Sequence, residues 1–281
     1  MLDACQAKGA PTCVGLDPVF ERLPAELQKQ TPAAACEAFG IAVIDAVAEH
    51  TPCVKPQAAC YERYGHEGYK AFETVIAHAK SKGLIVVSDA KRGDIGTSSA
   101  HYAAGMIGGT HGGDALTVNA YLGADGIEPF AKVADEEGCG LFALVRTSNP
   151  GGDAIQSLTL TDGRTIAQAV GDTVAELGAN YVGERGYSLL GAVVGATKAT
   201  DAVALRERLP QQIFLVPGFG AQGGGADDVR ACFKPDGTGA IITASRSVIY
   251  AYEKNTDVSW QAAIEDGAKD LKQQIADILG G

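Results

Sequence analysis

The chain has 281 residues, of which 46% are apolar and 20% charged, with 36 glycines; this is the composition of a globular protein large enough for one α/β barrel or two small domains, and it excludes a disordered or fibrous one. Its 34 acidic and 23 basic residues give a net charge of −11, which argues against general attraction to nucleic acid or an anionic membrane, so any anionic ligand needs local positive groups. Seven scattered cysteines with no Cys-x-x-Cys pair, no basic-then-apolar leader and no apolar run near the ~18–20 residues of a membrane span point to a reduced, cytoplasmic protein.

The first short apolar run, Cys13–Asp17, has the length of a buried strand and ends in an aspartate. An irregular stretch from Pro18 to Pro32 follows, then helical spacing over Ala33–Ala48. The second strand signal, Cys53–Gln57, carries Lys55 near its end and precedes a helix over Gly68–Lys82. The third and fourth are Leu84–Asp89 and Ala115–Asn119. After the fifth, Gly140–Thr147, come an irregular segment, Asn149–Gly163, and a helix, Thr165–Leu177. The sixth, Leu189–Ala196, is followed by a helix over Asp201–Leu209. The seventh, Ile213–Pro217, leads into a glycine-rich stretch, Gly218–Asp228, and the eighth is Gly239–Ala244. In the last segment, Asp257–Leu279, Ile264, Ala268, Leu271, Ile275 and Ile278 recur three or four apart and mark one apolar helix face.

Strand and helix signals thus alternate eight times. That number fits a (β/α)8 TIM barrel formed by residues 1–281 as a single domain better than an open doubly wound sheet, which remains the alternative. The three irregular stretches each follow a strand, on the side where barrel enzymes carry their active-site loops.

The chemistry concentrates at strand ends. The third strand ends Ser88-Asp89-Ala90-Lys91, and a period of two puts Asp89 and Lys91 on one face, with Asp94 in the next turn. A lone Asp-x-Lys would read as a salt bridge capping a strand. Here Asp17 and Lys55 end neighbouring strands, so four charges of alternating sign converge. Burying such an array is costly unless every charge is paired, which makes catalysis a better reason for it than stability. Pairing would keep the lysines as ammonium ions and the aspartates as carboxylates, and Lys91 could then protonate a carbanion.

The glycine-rich loop, Val216-Pro217-Gly218-Phe219-Gly220-Ala221-Gln222-Gly223-Gly224-Gly225, formally holds a Gly-x-Gly-x-x-Gly. It lies one unit from the chain's end and does not open a dinucleotide-binding βαβ pair. With Ser245-Arg246 after the eighth strand it fits the phosphate site that barrels build after strands seven and eight, from the Gly223 to Gly225 amides and the Arg246 guanidinium. Arg146-Thr147-Ser148-Asn149-Pro150-Gly151 reads on its own as a turn. The five histidines lack the spacing of a zinc site.

Asp89-Ala90-Lys91-Arg92-Gly93-Asp94-Ile95 resembles the Asp-x-Lys-x-x-Asp-Ile signature of the orotidine 5'-phosphate decarboxylase family. Leu16-Asp17-Pro18, Val54-Lys55, Ser148-Asn149-Pro150-Gly151, Pro217 to Gly224 and Arg246-Ser247 follow in that family's order, and Lys55-Pro56-Gln57 looks like its longer bacterial form. The resemblance implies decarboxylation of orotidine 5'-phosphate to uridine 5'-phosphate without metal or cofactor. Lys91 would protonate C6, Asp89 would lie near the substrate carboxylate, and Lys55 and Asp94 would complete the catalytic network. Asp17 and Lys55 would touch the ribose and Ser148 the pyrimidine, while Pro217, Gln222, Gly223, Gly224, Ser245 and Arg246 would surround the phosphate. The family further implies a homodimer in which Asp94 and Ser98 reach the partner's site. Ser98 stands where threonine is usual and keeps the hydroxyl; Asn149 receives no role.

Two rivals remain at this stage. A magnesium-dependent barrel of the 3-keto-L-gulonate 6-phosphate decarboxylase type shares the Asp-x-Lys-x-x-Asp pattern, but offers a glutamate where Lys55 would repel a cation. A nucleotide-binding barrel without catalysis would bind uridine 5'-phosphate and leave orotidine 5'-phosphate intact.

Overall fold

The computed structural model describes residues 1–196, 199–220 and 224–280. Eight strands form a closed barrel in chain order: β1 (Thr12–Leu16), β2 (Cys53–Pro56), β3 (Ile85–Arg92), β4 (Ala115–Val118), β5 (Gly140–Arg146), β6 (Leu190–Val194), β7 (Phe214–Val216) and β8 (Ala240–Ala244). Closure rules out the open sheet. Each strand begins within one residue of its expected start and most end a residue sooner, while β3 runs on to Arg92.

Each strand is followed by a barrel helix, here α1 (Pro32–Val47), α2 (Gly65–Ser81), α3 (Gly96–Met106), α4 (Ala124–Glu136), α5 (Ile166–Gly178), α6 (Ala199–Arg208), α7 (Ala226–Arg230) and α8 (Trp260–Leu279). The Asn149–Gly163 segment is more ordered than its sequence suggests, with a 3-10 turn at Pro150–Gly152 and a short helix at Asp153–Gln156.

The chain divides into two compact units. The first comprises Met1–Ala90, Gly109–Asp114 and Thr243–Gly281. Its strands are buried around an apolar core that includes Cys13, Val14, Cys53, Val54, Val86 and Val87. In parallel register Cys13 pairs with Cys53 and Lys55 with Gly15. The helices approach closely where small residues allow it: a Cβ on Gly40 of α1 would come within 2.8 Å of Val75 of α2. Phe39 stacks on Trp260 at 5.8 Å and on Tyr250 at 6.2 Å, closing an aromatic cluster with Tyr252.

The second unit comprises Lys91–Gly108 and Ala115–Ile242. Leu116, Leu141, Leu190, Phe214 and Ile241 are its fully apolar strand core. Helix α5 starts on a reciprocal cap, Thr165 accepting from the Gln168 amide while the Gln168 side chain accepts from the Thr165 amide. Asp172 on this helix accepts from both Arg164 and Arg208, which ties α5 to the end of α6.

Candidate active site

In the first unit the carboxyl ends of β1, β2 and β3 carry Asp17, Lys55 and Asp89. Lys55 and Asp89 are only 7% and 5% exposed, and Lys55 Nζ lies 2.6 Å from Asp89 Oδ2. The Gln57 amide donates to the same oxygen at 3.2 Å, and its backbone N–H donates to the Leu16 carbonyl. Burial works against the Lys55 charge, but the negative charges of Asp89 and Asp17 and the Asp89 hydrogen bond outweigh it and raise its pKa above the usual lysine value. Lys55 is therefore a fixed cation. Asp17 Oδ1 is buried without a hydrogen-bond partner among the described residues, so an acceptor stands ready for a donor.

Two packing details hold Asp17. Gly15 leaves room for Ser245, since a Cβ at Gly15 would fall 1.9 Å from Ser245 Oγ. Tyr250 donates its hydroxyl to the Asp17 carbonyl at 3.0 Å and accepts from the Val19 N–H at 2.9 Å. Burial pushes the Tyr250 phenol up to about 12, so it stays neutral and can do both. Arg22 lies 3.6 Å over the Tyr250 ring and is paired with Glu253. Arg246, exposed, opens the one-turn helix Arg246–Ile249 directly after Ser245.

In the second unit Lys91 adopts φ 48°, and among the described residues it is the only non-glycine with positive φ. The left-handed turn falls inside β3, and the Lys91 N–H donates to Thr117 Oγ1 at 2.9 Å. Asp94 follows, accepting from the Ile95 N–H, and Ser98 lies exposed in the first turn of α3. Gly93 fits closely to Asn119, whose N–H donates to the Arg92 carbonyl.

Ser148, half-buried, follows Arg146 and Thr147 at the end of β5, with Gly195 pressed against it. Arg146, which received no role of its own from the sequence, is 2% exposed and donates to Asp201, Gln156, Asp153 and Ser157. The Pro217 carbonyl accepts from the Ala196 N–H. Gly224 is in close contact with Ala196, its N–H donates to the Gly218 carbonyl, and the Gly225 N–H donates to Asp228. Both amides are hydrogen-bonded within the loop. Gln222 and Gly223 lie outside the described residues.

Gln57 and Tyr250 were missing from the expected site. Gln57 had a signal, since it stands two positions after Lys55 on a strand. Tyr250 had none, because 233 residues separate it from Asp17. No cluster of three or more His, Cys, Asp or Glu among the described residues could hold a metal ion.

Known proteins resemble the chain along nearly its whole length. Residues 11–259 match the family model described as Orotidine 5'-phosphate decarboxylase / HUMPS family. The chain is 44% identical to an orotidine 5'-phosphate decarboxylase of Rhodopirellula baltica, over 95% of this chain and 94% of the relative, and 41% identical to one of Deinococcus radiodurans, over 95% and 92%. Its fold superposes on the OMP decarboxylase of Leishmania donovani with a TM-score of 0.81 at 30% identity, covering 100% of this chain and 99% of the other. A solved chain from Streptomyces avermitilis gives 0.84 at 34% identity, covering 99% and 94%.

Proposed function

The chain belongs to the orotidine 5'-phosphate decarboxylase family, and from that premise we propose how its own residues convert orotidine 5'-phosphate to uridine 5'-phosphate and carbon dioxide in pyrimidine nucleotide synthesis. The carboxy-lyase reaction breaks the bond between C6 and the carboxylate, leaves the electron pair on C6 and adds a proton there. Lys91 is the proton donor. Asp89 faces the departing carboxylate, and Lys55 holds Asp89 in its ionised form.

The observation that carries this reading is the buried Lys55–Asp89 pair at 2.6 Å, seconded by Gln57 on the same oxygen. A cation fixed at that point suits a chemistry in which charge develops on the substrate and preorganised dipoles stabilise it. It disfavours the magnesium-dependent rival, whose cation Lys55 would repel. The reaction is proposed to need neither metal nor cofactor. Asp17 and Lys55 bind the ribose, Ser148 the pyrimidine, and Pro217, Gln222, Gly223, Gly224, Ser245 and Arg246 the phosphate. Phosphate binding supplies energy for loop closure.

The working form is proposed as a homodimer in which Asp94 and Ser98 serve the partner's site, with residues 1–281 as one catalytic domain. Ile95, Tyr102, Tyr121 and Leu122 support this, because they stay 55%, 43%, 87% and 46% exposed on the segments after β3 and β4. A reduced, cytoplasmic setting fits seven free cysteines and the lack, among the described residues, of any helix long and apolar enough to cross a membrane.

The loss of orotidine 5'-phosphate absorbance, followed with a chelator present, tests the activity. Lys91→Ala is expected to bind uridine 5'-phosphate and to lose at least about 10³-fold in kcat, the scale of a general acid. A variant turning over at near the parent rate would refute the assignment.

A further inference from the structure

Beyond the residues expected to meet the substrate, we infer that Arg146 is a positioning residue for pyrimidine recognition, acting through Gln156 and Thr147 on Ser148. The inference rests on the proposed contact between Ser148 and the base.

Arg146 closes β5 with a guanidinium that is almost wholly buried and donates four hydrogen bonds. Nε donates to Asp201 at 2.7 Å, Nη1 to Gln156 Oε1 at 3.1 Å, and Nη2 to Asp153 and, at 3.3 Å, to Ser157 Oγ. Asp153, Gln156 and Ser157 are spaced three and four apart, so one turn of helix presents all three to the arginine. Gln156 then reaches back: its Oε1 accepts the Thr147 N–H at 2.9 Å and its amide donates to Thr147 Oγ1 at 2.8 Å. The Thr147 hydroxyl in turn donates to Asn149 Oδ1 at 2.6 Å. Both neighbours of Ser148 are thereby tied to the arginine.

The opposite side is equally closed. Gly195 donates its N–H to the Arg146 carbonyl, and a Cβ on Gly195 would lie 2.9 Å from Ser148 Cα and Cβ. Apolar packing would hold a loop at lower desolvation cost than a buried guanidinium. A branched hydrogen-bond network gains something else, a single position for the residue between its arms.

Binding of uridine 5'-phosphate and of ribose 5-phosphate, which lacks the base, separates this role from general support. Arg146→Met is expected to weaken uridine 5'-phosphate about tenfold, the scale of one directional hydrogen bond, and ribose 5-phosphate less than about twofold. Gln156→Ala keeps both carboxylate pairs and removes the bridge between Arg146 and Thr147; it should show the same selective loss even if Arg146→Met does not fold. Adding Ser148→Ala to either variant should cost little more. Equal weakening of both ligands, or none, would overturn the inference. If Ser148→Ala alone binds both ligands as the parent does, the base contact fails and the inference falls with it. If Ser148→Ala loses the nucleotide while Gln156→Ala keeps it, this inference alone fails.

Discussion

Lys55 is the residue on which stability and the proposed chemistry meet. Replacing it with alanine leaves Asp89 buried beside an uncharged amide, and loss of one partner of a buried pair costs about 3–5 kcal/mol. Chemical denaturation of Lys55→Ala against the parent checks that figure. The pH dependence has a definite sign: the folded pKa of Lys55 lies above its unfolded value, so the stabilisation is complete below the unfolded value of about 10.4 and fades only as pH climbs through the higher folded one. The difference between parent and variant should therefore stay constant from about pH 7 to 10; a decline within that window would mean that Lys55 is not held as described. Of the charged residues, Asp17, Lys55, Asp89 and Lys91 were legible because each ends an apolar run. The company they keep was not. Nothing local shows that Tyr250 grips the Asp17 carbonyl, nor that Arg146 turns inward rather than out.

At the level of elements, the strands were legible nearly to the residue, since runs such as Val54 to Pro56 and Leu116 to Val118 are too short for helices and are set off by polar or turn residues. What local pattern could not supply was order arising from a distant partner. The Asn149–Gly163 segment reads as irregular, yet Asp153–Gln156 coils into a turn of helix because Arg146 gathers Asp153, Gln156 and Ser157 to one side. A similar dependence joins α5 and α6. Burial alone would raise the Asp172 pKa, but hydrogen bonds from Arg164 and Arg208 overcome it and lower it. That contribution is present above the unfolded carboxylate value of about 4 and is lost as pH falls through the lower folded one. Asp172→Asn should cost about 1 kcal/mol at neutral pH and low salt, and less in high salt, because both arginines are partly exposed. Thermal unfolding at two ionic strengths measures it.

For the whole molecule, the exposed Tyr121 and its neighbours set an expectation about assembly. Sedimentation should show a dimer, and Tyr121→Asp should shift it towards monomer while the thermal transition of each chain persists; a parent that sediments as a monomer would contradict the shared-site reading. The left-handed turn at Lys91 bears on how such a protein can change over generations. A lysine at φ 48° gives up roughly 1 kcal/mol that glycine would not. A library of this gene selected for heat resistance alone should drift to glycine at position 91 and yield sturdy, inert barrels. The same library selected for growth without supplied pyrimidines should keep the lysine and its conformational cost.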